Sequence, residues 1–298
     1  MSANGRRLAL LMNPTAAGGR PLRLLPTVRD ELRTLGFDHR VVETKDIEHA
    51  SSAAGESAAA GEVVVALGGD GLVGALAGAL RGAAPLGVLP GGRGNDFARA
   101  LGIPKDLREA CRVLTTGVER SLDLGEANGR PFVSIASTGY DSDANRIAND
   151  ARVLKGELVY LYGALRALVS WRPAHFTLKL DGENHEFDGY TVAAANAPYY
   201  GGGMRMAPKA DMADGMLEVI CVGRSSKVRF LANLPKVFAG THVEVEGVTS
   251  LRAREVEIAA DRPFDVYADG DVLTSLPATA RVVPGGLRVI APGPESTG

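Results

Sequence analysis

Cysteine and tryptophan are scarce in this chain, with two of the first and one of the second in 298 residues. Cys111 and Cys221 lie far apart, each in an apolar or helix-like setting. That excludes a disulfide framework and a thiolate metal cluster and reads as two buried free thiols. The five histidines (His39, His49, His175, His185, His242) form no ligand-spaced pair, so a histidine-based metal site has no footing. No uncharged apolar run reaches the roughly 18 residues that a membrane span needs. The nearest approach, residues 63–90, is broken by Asp70, Arg81 and many glycines. Arg6-Arg7 is followed by too short an apolar run for a signal-peptide core. With Lys+Arg 33 against Asp+Glu 35 the net charge is −2, which gives no global attraction to nucleic acid or to an anionic surface. No G-x-x-x-x-G-K-[ST] is present, no G-x-G-x-x-G follows the first strand signal, and no G-x-S-x-G occurs, which removes the commoner nucleotide and hydrolase templates. What survives is a globular, cytosolic protein whose dealings with a membrane are peripheral.

Against these absences stands one dense feature. The apolar run from Val63 to Leu67 leads into Gly68-Gly69-Asp70-Gly71 and then into a small-residue stretch through Leu80. A buried strand, a glycine turn and a helix N-terminus present backbone N–H groups to phosphate. Glycine suits the turn because no Cβ blocks the approach. A carboxylate beside phosphates repels them unless a cation lies between, so Asp70 points to a magnesium-dependent nucleotide site. Two more glycine loops follow strand signals, at residues 13–19 and 91–96. In a parallel sheet such loops gather at the carboxyl edge, where ligands bind.

The first part of the chain alternates strand and helix signals, the pattern of a parallel α/β sheet. Strands are expected at residues 8–12, 39–43, 63–67 and 86–89, with helices at 21–35, 47–60, 72–80, 97–101 and 107–115. From about Ser121 the texture turns to antiparallel strands: residues 131–136, 175–180, 189–195, 216–222, 255–259 and 264–268. Helical stretches at 156–170 and 225–238 interrupt them, and a last strand at 287–291 could return to either unit. The expected architecture is therefore an α/β nucleotide-binding domain, residues 1–122, and an antiparallel β-sandwich domain, residues 123–298.

Gly68-Gly69-Asp70-Gly71, then Leu89-Pro90-Gly91-Gly92-Arg93-Gly94-Asn95-Asp96-Phe97-Ala98, and Tyr199-Tyr200-Gly201-Gly202-Gly203-Met204 occur in that order. Together they resemble the bacterial diacylglycerol kinases, relatives of the sphingosine and ceramide kinases. The likeness runs from Asn13-Pro14 through Ala207-Pro208 and Asp214-Gly215 to Asp269-Gly270. It implies a lipid kinase with a cleft between two domains, using ATP and Mg2+ on a diacylglycerol-like acceptor. By the resemblance, Asn13, Pro14, Thr15, Ala16, Ala17, Thr44, Gly68, Gly69, Asp70, Gly71, Leu72, Val73, Arg93, Asn95 and Asp96 hold the nucleotide. Asp211, Asp214 and Met216 would hold a structural magnesium, Met216 through its carbonyl, and Asp271 would be the general base with Asp70 beside it. From the residues alone, 268–271 is a hairpin turn; both readings of Asp271 stand together.

The family pattern is not met everywhere. Leu72-Val73-Gly74-Ala75 stands where a threonine, an apolar residue, an asparagine or histidine and a glutamate are usual, Arg93 replaces a threonine, and Asp271 a glutamate. Loss of the glutamate at Ala75 removes a polar tether, which leaves a catalytically inactive nucleotide- or lipid-binding regulator as one alternative; an NAD kinase-like enzyme, sharing only the G-G-D-G, is another. The stretch 157–171 collects leucines on one side with Trp171 and two arginines near its end. It reads as a helix packed on the β domain or, alternatively, as a membrane-docking element. Nucleic acid is not an expected partner, and a homodimer through sheet edges is left open.

Overall fold

A computed structural model of the chain describes residues 7–143, 168 and 171–293. The amino-terminal half is built on strands β1 (Leu8–Met12), β2 (His39–Glu43), β3 (Val63–Gly68) and β4 (Pro85–Pro90), all parallel, in the order β4-β3-β1-β2. β1 and β3 are buried along their whole length, as expected of strands covered on both faces. The helices are α1 (Ala16–Thr34), α2 (Ile47–Ala59), α3 (Asp70–Leu80), α4 (Asp96–Ala100) and α5 (Leu107–Thr116). Two start on side-chain caps: Asp46 accepts from the His49 amide, and Asp106 from the amides of Arg108 and Glu109, each satisfying otherwise unpaired N–H groups.

The carboxyl-terminal half holds β5 (Val118–Ala127), β6 (Arg130–Phe132), β7 (Ile135–Gly139), β8 (Ala174–Leu180), β9 (Glu183–Ala195), β10 (Leu217–Gly223), α6 (Lys227–Ala239), β11 (Val248–Ala253), β12 (Glu255–Ala260), β13 (Asp265–Ala268), β14 (Asp271–Ser275) and β15 (Ala278–Ala291). Every strand pairing within this half is antiparallel. β8 alternates buried and exposed residues at period two, the pattern of a sheet with one wet face.

The last strand belongs to both halves. Ala278–Arg281 of β15 pairs with β12, while Arg288 and Val289 pair in parallel with the start of β4. β5 runs antiparallel beside both stretches, and the register shifts between Val283 and Leu287. One sheet thus passes through the whole molecule, with the bulged β5/β15 ribbon as its spine.

Trp171 is buried, 5.6 Å edge-on to Tyr140, with the Arg262 guanidinium 5.1 Å over its ring. It is therefore a core anchor and not a membrane contact; the rest of the helix expected at 157–171, apart from Leu168, lies outside the described residues. Cys111 and Cys221 are buried and free, and burial pushes both thiols up to about 12, the direction that favours the neutral thiol.

Candidate active site

Parallel register brings the glycine loops level. Gly68 at the end of β3 faces Pro90 at the end of β4, and Met12 faces Glu43, which sets Thr44 beside Asn13. The loops are then tied to one another. The Gly91 amide donates to the Gly68 carbonyl at 2.9 Å, and Arg20 donates to the Gly92 carbonyl at 2.9 Å. A Cβ on Gly92 would sit 2.3 Å from the Gly69 Cα, so only glycine permits this backbone contact. Asn95, at φ 53°, closes the third loop, accepting from the Gly92 amide at 2.8 Å and donating to its carbonyl at 3.0 Å. In the first loop Asn13 accepts from both the amide and the hydroxyl of Thr15 at 2.9 and 2.8 Å.

Asp70 does not stand free in this cradle. Its two carboxylate oxygens accept from the amides of Asp96 at 3.1 Å and Phe97 at 2.9 Å. It thereby caps α4 and bolts the second loop to the third. Asp96 carries the tie onward, accepting from the Gly202 amide at 2.7 Å and pairing with Arg99 at 2.7 Å. Burial raises the Asp96 carboxyl, opposed by the Gly202 amide; the Asp70 charge raises it further and Arg99 lowers it. Arg99 also lies 5.8 Å over the ring of Tyr199. The Tyr199–Met204 motif of the second half is thus docked on the Asn95–Asp96 motif of the first. Below it, Tyr200 donates to Asp141 at 3.0 Å. Burial raises Asp141 to about 6, against the Tyr200 hydrogen bond.

The small-residue helix α3 acquires its reason here. Gly71, Gly74 and Gly78 fall on one face, and each meets the second half. Added Cβ atoms would lie 3.0 Å from Asp271 Oδ2, 2.7 Å from Asp269 Oδ2 and 2.1 Å from Pro131 Cγ, respectively. Glycine at these positions lets the β13–β14 hairpin settle onto the nucleotide loop. That hairpin turns on Asp269 and Gly270, both at positive φ (53° and 99°), so the turn expected from sequence is there. Asp269 accepts from the amides of Val133 at 2.8 Å and Ser134 at 3.0 Å. Burial is the main cause lifting its carboxyl to about 7, against those two amides, and the Asp70 charge adds to the lift.

Asp271 is different. It is exposed at the start of β14, and no hydrogen bond or ion pair among the described residues engages it. The protein mass behind it still raises its carboxyl above the usual range, the direction a general base near neutral pH requires.

The remaining expected site residues divide. Thr44 is buried with its hydroxyl unpartnered, an orphan that a nucleotide could satisfy, and Arg93 is exposed on the third loop. Together with the glycine cradle these residues fit a nucleotide phosphate. The residues expected to hold a structural ion do not fit one as they stand. Asp211 accepts from the Ala213 amide at 3.0 Å and Asp214 from the Met216 amide at 3.0 Å, while the other Asp214 oxygen pairs with Arg252. Magnesium requires several oxygens around it at once, and a guanidinium already occupies Asp214. No group of three or more acidic, histidine or cysteine side chains converges for a metal among the described residues.

Sequence reading misses Asp123. It is buried and accepts from the amides of Gly215 at 2.7 Å and Gly285 at 2.9 Å, pinning the 211–216 loop to the β15 bulge. An isolated Asp inside a strand gives no signal of such a role; only the turn glycines at both partners hint at it.

Comparison with known proteins agrees with this assembly. The profile described as "Diacylglycerol kinase catalytic domain" matches residues 7–127, and "YegS C-terminal NAD kinase beta sandwich-like domain" matches residues 134–291. The diacylglycerol kinase of Mycobacterium tuberculosis (strain ATCC 25618 / H37Rv) is 34% identical over 295 residues, covering 96% of this chain and 95% of the relative. The chain belongs to the diacylglycerol kinase and YegS-like lipid kinase family. Within that family a protein of Pseudomonas fluorescens named "Probable lipid kinase YegS-like" is 32% identical, over 87% of this chain and 88% of its own. A crystal structure of a diacylglycerol kinase from Bacillus anthracis str. Sterne superposes with a TM-score of 0.73 at 22% identity, covering 96% of this chain and 97% of that one. The likeness is one of fold.

Proposed function

We propose that this member of the lipid kinase family transfers the γ-phosphate of ATP to the hydroxyl of a diacylglycerol-like lipid, giving a phosphatidic acid. The observation that carries the reading is the position of Asp271, an unengaged carboxylate packed against Gly71 of the nucleotide loop. The names of the relatives supply the acceptor class.

Phosphoryl transfer asks for positioning and charge neutralisation more than covalent help. Gly68 to Val73, together with Gly92 and Gly94, give close backbone approach to the phosphates; Asn13 to Ala17 and Thr44 border them; Arg93 adds positive charge. Asp70, Asn95 and Asp96 hold those loops in register. Asp271 accepts the proton of the attacking hydroxyl. Magnesium bound with the triphosphate supplies charge neutralisation. A separate ion on Asp211, Asp214 and Met216 would require Arg252 to withdraw, and no step depends on it. We take residues 1–122 and 123–298 as the nucleotide and acceptor units, in a cytoplasmic protein that visits the membrane peripherally.

The test is magnesium-dependent transfer of labelled γ-phosphate from ATP to micellar diacylglycerol, monoacylglycerol, sphingosine and ceramide, with NAD as a soluble control. Labelled phosphatidic acid is the expected product. Label on NAD alone, or on no acceptor despite ATP binding, would contradict the proposal.

A further inference from the structure

Helix α6, in the acceptor half, is open to solvent over much of its length. None of its residues is buried, and Val228 and Phe238 are exposed to 78% and 58%. It is nonetheless well fixed. Ser226 caps its first turn by accepting from the Arg229 amide at 3.2 Å, and Gly240 ends it at φ 75°. Phe230 anchors its inner face, 4.5 Å from Tyr190 and 4.9 Å from Tyr140 between ring centroids.

The outward face has a definite pattern. Val228, Ala232, Pro235 and Ala239, all exposed, recur at helical spacing as one apolar stripe. Lys227 lies on one side of it, Arg229 and Lys236 on the other, and the helix holds no acidic residue. Glu246 pairs with Arg229 at 3.1 Å, while Lys236 is exposed at the far end of the stripe. In a chain of net charge −2, this is a local cationic rim around an apolar strip.

We infer that α6 is the face by which this protein docks on an anionic lipid bilayer, its apolar stripe in the headgroup layer and Lys236 on lipid phosphates. The inference rests on the lipid-kinase reading above and names the surface that reading requires. An apolar strip between cations is what an interfacial helix presents to such a surface. A second copy of this chain fits less well, because a two-fold contact of α6 with itself would set its cations against one another. Placement agrees: the Arg205 amide donates to the Val237 carbonyl at 2.9 Å. Arg205 directly follows the Tyr199–Met204 motif, whose Gly202 is tied to Asp96. Docking through α6 therefore brings the acceptor side of the cleft to the membrane.

The full-length protein is tested by co-sedimentation with phosphatidylcholine vesicles, with and without phosphatidylglycerol, alongside turnover on a water-soluble short-chain diacylglycerol. Wild type should pellet with the anionic vesicles only. Lys236→Glu, and separately Val228→Asp with Phe238→Asp, should each weaken that binding about ten-fold or more, with short-chain turnover unchanged. Wild type failing to bind anionic vesicles, or both variants binding as wild type does, would overturn the inference. So would variants that convert a dimer to a monomer while vesicle binding persists, since α6 would then be a self-association face. Vesicle binding that responds as stated, with no turnover on any acceptor, would support the docking face and count against the kinase reading.

Discussion

The cleft is closed by an Asp-Gly turn from each half. Asp70-Gly71 opens α3 in the nucleotide half, and Asp269-Gly270 turns the β13–β14 hairpin in the acceptor half. In both, the aspartate accepts two consecutive backbone amides from another loop, Asp96 and Phe97 in one case, Val133 and Ser134 in the other. Each carboxylate is held in place by two amides. The two turns differ in the residue after the glycine: Gly71 is succeeded by the apolar Leu72, Gly270 by the unengaged Asp271. Two aspartates build the cleft and a third is free to act in it.

Substitutions can break this division of labour. The largest effect is expected for Asp271→Asn, with turnover lowered about 10²–10⁴-fold and the thermal midpoint unchanged. Asp70→Ala should instead cost about 2–3 kcal/mol of stability, because two hydrogen bonds to a charged group are lost. Urea unfolding reads that cost, with activity falling as the loops separate. Gly78→Ala forces a methyl onto the Pro131 ring and should cost about 1–3 kcal/mol, seen in the same unfolding curves.

A smaller effect separates the two turns by pH. Asp269 is held at about 7, against about 3.9 for an unfolded aspartate. The folded state then binds more protons than the unfolded state across that window, so stability falls as pH rises from about 4 towards 7. Replacing Asp269 with Asn should flatten the decline of the melting temperature between those pH values; an unchanged slope would mean the carboxyl titrates normally. The smallest expected effect is none at all: with Arg252 seated on Asp214, EDTA should leave the wild-type melting temperature in place, and a clear drop would restore a structural ion to that loop.

Much of the fold is legible in the sequence because its signals are local. β1 and β2 fall where β-branched and apolar runs predict them, and β3 and α3 differ from expectation only at their ends. The last strand reads as residues 287–291 because Pro284-Gly285-Gly286 looks like a break; in the structure it is the bulge of one strand, Ala278–Ala291. Likewise β5 escapes the reading, since Glu119, Arg120 and Asp123 disguise a strand whose partners are distant in sequence. Pro21 and Pro26 lie inside α1, and its start at Ala16 includes Ala17, Gly18 and Gly19 at positive φ, which no helical period announces. At the site, the motifs name residues that the fold brings together, but not the hydrogen bonds that hold them. Asp70 beside phosphates suggests a metal link, whereas its pairing with two amides from the third loop is a tertiary fact. The glycines of α3 suggest only a small-residue helix, and their purpose shows once the hairpin lies on them.

The most direct test of Asp271 as the free carboxylate is single-turnover transfer from ATP to short-chain diacylglycerol by Asp271→Asn and Asp271→Glu. The chemical step should collapse in the Asn variant while ATP binding is kept, and Glu, which restores the carboxylate, should recover much of it. An Asn variant that transfers phosphate at the wild-type rate would contradict the role of Asp271 as base.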